Sequence, residues 1–90
     1  MDPRLRLEHN EAVLTQQVGG TRVLLDPDEG RYYSLDEVSG RIWDLCDGTR
    51  EVREVIATVE DEYEAEPGMI EHDVEVFLSE LLAERLLVVA

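Results

Sequence analysis

The chain has 90 residues, enough for one domain with a small core, and 22 acids against eight bases, all arginine, give it a net charge of −14. The arginines are scattered at positions 4, 6, 22, 31, 41, 50, 53 and 85, so nothing here forms the clustered positive surface that nucleic acid or an anionic membrane needs; a basic or neutral partner suits the field better. A single cysteine excludes an internal disulfide and fits a cytoplasmic, reducing setting, and no stretch reads as a signal peptide or a membrane span.

Residues 1–10 are polar and charged and are expected to be a flexible N-terminus, leaving 11–90 as the single domain. "EAVLTQQV" and "TRVLLD" flank Gly19-Gly20, the pattern of a hairpin with a tight turn. "DPDEG" supplies turn chemistry at 26–30, and "RYYSL" follows as a short third strand. Three strands with two short connections make an antiparallel meander, with 21–26 at its centre and the first and third runs as edges. Tyr32 and Tyr33 then point to opposite faces, and register decides which of them enters a core.

After residue 35 the apolar period becomes helical. Leu35, Val38, Ile42, Leu45 and Cys46 share one face, with Ser34 or Asp36 as the cap and Gly48 as the stop. Thr49 can cap a second helix over about 50–63, whose stripe is Val52, Val55, Ile56, Val59 and Tyr63. "EAEPG" breaks it, and Pro67 suits the first turn of a third helix over about 67–84. "LLVVA" is an extended tail or a short strand. The fold class is α+β: an N-terminal three-stranded antiparallel sheet followed by three helices.

The third helix carries two arcs. Ile70, Val74, Phe77, Leu78, Leu81 and Leu82 form the core arc. Met69, Asp73, Val76, Glu80 and Ala83 form a second, mixing apolar groups with two carboxylates. That second stripe is either a half-buried flank against the sheet or one wall of a peptide groove. In the groove reading Met69, Val76 and Phe77 meet apolar anchors, while Asp73 and Glu80 attract basic groups.

Residues for catalysis are lacking. Cys46 lies on an apolar helical face with neither histidine near it in sequence, which reads as a buried structural thiol. "EHDVE" places His72 among Glu71, Asp73 and Glu75, but consecutive helical side chains diverge, so no metal site is expected. No glycine pattern cradles a phosphate, and no cofactor is implied. Trp43 is expected in the core or against the sheet. The order of elements also suggests a winged-helix DNA-binding regulator. Its third helix would however bring seven acids and one arginine, Arg85, towards phosphate within "EAEPGMIEHDVEVFLSELLAER", and that charge argues against duplex binding.

"LLDPDEGRYYSLDEVSGRIWDLCDGTREVREVI", with the later "LSELLAERLLVV", resembles the PqqD-like proteins, the precursor-peptide recognition elements of ribosomally made, post-translationally modified peptides. The resemblance covers about residues 12 to 88. It rests on the entry into the first helix (Tyr33, Leu35, Asp36, Glu37), on Ile42, Trp43, Leu45, Asp47 and Gly48, and on the closing "LAERLL". It implies a winged helix-turn-helix-like fold and a non-enzymatic role, binding a leader peptide by strand addition. The third strand would supply Arg31, Tyr32, Tyr33, Ser34 and Leu35, and the facing helix Asp73, Val76, Phe77 and Glu80, with Met69 from the stripe above. Among stand-alone members the sequence looks most like those of lasso-peptide systems. The implied partners there are the precursor leader and a cysteine-protease-like leader peptidase, followed by a macrolactam-forming cyclase. The alternative is delivery of the precursor to a radical-SAM enzyme, as in pyrroloquinoline quinone synthesis. An exposed strand edge also allows two copies to pair as a homodimer.

Overall fold

A computed structural model describes residues 1–66 and 68–90 of the chain. The elements are β1 (Leu7–His9), β2 (Leu14–Val18), β3 (Thr21–Asp26), β4 (Arg31–Leu35), α1 (Glu37–Leu45), α2 (Val52–Glu62), α3 (Met69–Ala83) and β5 (Leu87–Val89). Strands β2, β3 and β4 form the expected antiparallel meander in that order. Gly19 and Gly20 connect β2 to β3 where Val18 pairs with Thr21, and Gly19 takes a φ of 62° that a side chain would resist. At the next turn the Asp26 carboxylate accepts from the backbone N–H groups of Asp28 and Glu29 at 3.1 and 3.4 Å, closing the link to β4.

The helices follow their apolar periods. Asp36, one of the two expected caps, accepts from Ser39 N–H at 2.8 Å and starts α1. Ile42, Leu45 and Cys46 are buried as expected, while Val38 remains partly exposed. The expected cap of α2 differs. Thr49 donates its hydroxyl and its N–H to Asp47, and α2 starts about two residues later, at Val52, with the Glu54 side chain accepting from Glu51 N–H at 3.0 Å. Thr49 competes for a nearer carboxylate, and the reciprocal Glu51–Glu54 arrangement takes over the cap. Val52, Val55, Ile56 and Val59 are buried, and Val74, Leu78 and Leu81 of α3 meet them. The role expected of Pro67 lies outside the described residues.

Trp43 is fully buried at the centre of this core. Its ring stacks on His9 with centroids 3.8 Å apart and planes 7° from parallel, and His9 Nε2–H donates to the Trp43 carbonyl at 2.7 Å. Ion pairs tie these elements together: Arg22 of β3 with Asp44 of α1, and Arg41 of α1 with Glu62 of α2, where Arg41 Nη2 stands 2.8 Å from Oε2. The backbone of α1 comes close enough to β3 that a Cβ on Gly40 would sit 3.5 Å from Arg22 Cβ.

The N-terminal segment departs from the flexible arm expected of residues 1–10. Leu7–His9 form β1 and pair antiparallel with β5, Leu7 against Val89 and His9 against Leu87. Leu7 is buried, and backbone bonds from Val52 N–H to Leu5 O at 2.8 Å and from Gly48 N–H to Leu7 O at 2.9 Å hold the segment over the α1–α2 junction. A Cβ at Gly48 would meet the Glu8 carboxylate at 3.1 Å, and its φ is 85°, so glycine there serves both the helix stop and the close approach of β1. The strand escapes a sequence reading because only one of its three residues is buried. Its partner lies about 80 positions away, and local periodicity cannot show such a pairing.

Candidate functional site

Strand β4 pairs with β3 on one side only, so its other edge carries unpaired backbone groups. Facing that edge is α3, and between them lies a cleft of 510 Å³. Tyr32, Tyr33, Ser34 and Leu35 line it from the strand, and Phe77, Glu80, Leu81 and Glu84 from the helix and its C-terminal cap; Leu86 closes its end. The register resolves the paired tyrosines. Tyr33 stands opposite the buried Leu24 and packs on the core, whereas Tyr32 stands opposite Leu25 on the other face and is 73% exposed.

One carboxylate fastens the cleft's end. Arg31 Nη1 donates to Glu84 Oε2 at 2.7 Å, and the Tyr33 hydroxyl donates to the same oxygen at 3.1 Å. The guanidinium of Arg31, beside the Tyr33 hydroxyl and the Glu84 carboxylate, is held above its ordinary pKa. This cluster joins β4 to the end of α3 across the cleft, and Leu86 is buried beneath.

The structure gathers the strand residues with Phe77 and Glu80, but it divides the remaining helix positions. Asp73 borders a neighbouring hollow of 240 Å³ with Val38, Ile42, Val59 and Ile70, and Phe77 contributes to both spaces. Val76 faces the opposite flank, where it borders a shallow depression with Met1, Ser79 and Ala83. Met69 is exposed near the start of α3. The stripe of Met69, Asp73, Val76, Glu80 and Ala83 is therefore a solvated face that meets the cleft only at Glu80. The wall itself runs through Phe77, Glu80, Leu81 and Glu84, at spacing i, i+3, i+4, i+7, and so shares residues with the core arc. Leu81, Glu84 and Leu86 were absent from the sequence-derived set. Glu84, four residues after Glu80, carried a readable helical signal; Leu86 carried none beyond ordinary core character.

The rest of the molecule offers little chemistry. Cys46 is buried, and desolvation pushes its thiol pKa up to about 12, which holds it in the unreactive protonated form. Among the described residues no group of three or more histidine, cysteine, aspartate or glutamate side chains is placed to hold a metal ion. No described helix is long and apolar enough to cross a membrane.

A family model described as coenzyme PQQ synthesis protein D (PqqD) matches residues 21–87. Among solved structures the chain is similar to TbiB1 in complex with the TbiA(beta) leader peptide. The two are 30% identical, the match covers 89% of this chain and 93% of that one, and the TM-score is 0.80. It also shares the fold of a lasso peptide synthetase B1 complexed with the leader peptide, at 20% identity, 92% and 98% coverage and a TM-score of 0.82. Comparison with curated proteins found no match.

Proposed function

This chain belongs to the PqqD family, and from that premise we propose that it binds the leader segment of a ribosomally made precursor peptide along β4 and presents the rest to a processing enzyme. One observation carries the reading: an open strand edge faces a helical wall across a cleft of 510 Å³ that Tyr32, Tyr33, Ser34 and Leu35 line along β4. Support comes from the fold shared with a 30% identical protein whose structure holds a leader peptide.

The physical division of labour is simple. Backbone groups of β4 pair with an extended leader whatever its sequence. Specificity then falls to the side chains across the cleft. Phe77, Leu81 and Tyr33 offer apolar area to alternate leader residues, at about 25 cal/mol per Å² buried. Two or three anchors of that kind must offset the ordering of a disordered peptide. Glu80 and Glu84 favour basic leader side chains, and Arg31 favours an acidic one once it is released from Glu84. Asp73 acts from the adjoining hollow through Phe77, and Met69 and Val76 contribute at most to the rim.

The protein performs no chemistry in this reading. Its buried thiol is held protonated, and the cleft offers carboxylates, aromatic rings and a strand edge for binding. A cysteine-protease-like leader peptidase of a lasso-peptide pathway is the favoured recipient: the sequence looks most like the stand-alone members of lasso-peptide systems, and the 30% identical TbiB1 is seen with a leader peptide. Delivery to a radical-SAM enzyme is the second reading, favoured by the PqqD family model itself.

Titration of a fluorescently labelled candidate leader, with a scrambled peptide as control, tests the proposal. Saturable binding of the leader and not of the scrambled peptide is expected. Equal binding of both, or cleavage of the precursor by the pure protein alone, contradicts it.

A further inference from the structure

The cleft uses the β4 edge of the β2-β3-β4 sheet, where Tyr32 and Ser34 belong to its lining, and leaves the outer face over β2 and β3 free. Register assigns Leu14, Gln16 and Val18 of β2, Thr21, Val23 and Leu25 of β3, and Tyr32 and Ser34 of β4 to that face. None of these side chains is charged, in a chain where 33% of residues are. Leu14, Leu25 and Tyr32 make one continuous cross-strand row, with Leu14 58% and Tyr32 73% exposed, and Val18 is likewise 58% exposed. Among the described residues no helix packs on this side; α1 meets the inner face, where Gly40 approaches Arg22. An uncharged, partly apolar sheet face is unusual on so acidic a protein. Its border carries acids, Asp28 and Glu29, in the turn next to the Leu14–Leu25–Tyr32 row.

We propose that this outer sheet face is a second docking surface, for the enzyme that receives the presented peptide, and that the enzyme meets it with an apolar patch bordered by basic residues. The identity of the partner rests on the leader-binding reading; the surface itself does not. Charge selects this occupant over a second copy of the chain. Two bodies of net charge −14 repel, and the acidic border of one face meets the acidic border of the other. Area points the same way. Strand spacing and rise give the face a footprint of about 250 Å², well under the roughly 800 Å² per partner of a stable interface. The face alone supports a weak, exchangeable contact, and a bound leader enlarges it. A peptide strand added to β4 extends the same sheet, so an enzyme resting on the outer face would touch protein and substrate together. Affinity would then rise when the leader is present, as delivery requires.

The test uses the full chain, a labelled leader and the purified enzyme that processes this precursor. Leu14→Arg combined with Val18→Arg places like charge against a basic partner at two exposed positions outside the cleft. Gln16→Arg, exposed at the centre of β2, is the second and milder variant. Leader affinity should stay within twofold of the parent in both. Enzyme affinity, measured directly with and without leader, should fall tenfold or more in the double variant and severalfold in Gln16→Arg. Enzyme affinity unchanged in both variants overturns the proposal, as does a parent that binds no enzyme with or without leader. A dimer that grows with added salt and vanishes in the double variant also overturns it, in favour of self-association. A parent that binds enzyme through this face but no leader sinks the cleft reading while supporting this one.

Discussion

The two edges of the β2-β3-β4 sheet expose the same backbone groups and differ in what stands opposite them. Beside β4 lies α3, with Phe77, Glu80 and Glu84 across a cleft of 510 Å³. Beside β2 lies solvent: all five of its residues are exposed. An unpaired edge is by itself an invitation to any extended chain. A facing wall turns that invitation into a choice, because it adds side-chain pockets whose shape and charge a peptide must satisfy. In this account β4 selects, while β2 contributes its outward side chains to a broader face and relies on the chain's net charge against aggregation.

Both edges rest on one packed core, so the largest effect should come from breaking it. Trp43→Ala removes a fully buried indole and its stack with His9. A loss of about 3–5 kcal/mol is expected from urea unfolding, close to the whole stability of a domain this small. Trp43→Phe should cost less than the lost area implies, because the indole N–H has no hydrogen-bond partner among the described residues.

A second prediction separates the edges. Phe77→Ala should weaken leader binding about tenfold, the order expected for one apolar anchor, while Leu14→Ala leaves it within twofold. Equal losses would mean that both edges, or neither, take the peptide. Smaller still is the effect at the cleft's end. Glu84→Gln removes the charge that holds Arg31, in a pair whose side chains are 56% and 42% exposed. Exposed pairs contribute less than about 1 kcal/mol, so leader affinity should change by fivefold or less, and the difference should fade in high salt.

The smallest expected effect is a pH dependence remote from both edges. Thr49, through its hydroxyl and its N–H, holds the Asp47 carboxyl well down, to about 2, from an ordinary value of 3.8. The folded pKa is lowered, so this contribution is complete above about pH 4 and is lost as pH falls towards 2. Asp47→Asn should flatten acid unfolding in that window and leave leader binding at neutral pH unchanged.

The sequence exposed much of this molecule because its local signals agree with its tertiary contacts. Gly19-Gly20, the 26–30 turn and the Asp36 cap marked the meander and the start of α1, and the apolar periods of α1 and α2 named most of the buried residues. Two features escaped for different reasons. β1 and β5 are short strands from opposite ends of the chain, and their pairing leaves no periodic trace. The wall of the cleft escaped in part because a helix facing both a core and a cleft presents one broad arc. Phe77 and Leu81 belong to both, so the helical period alone does not separate the residues that line the cleft from the core arc, and Met69 and Val76 fall outside the cleft lining. Tyr32 and Tyr33 needed only register, which the pairing of β4 with β3 supplied.

Amide hydrogen exchange with and without saturating leader tests the central claim most directly. Strand addition at β4 predicts new protection across residues 31–35 and none across 14–18. Protection confined to β2, or binding that leaves the amides of β4 exchanging as in the free protein, would contradict it.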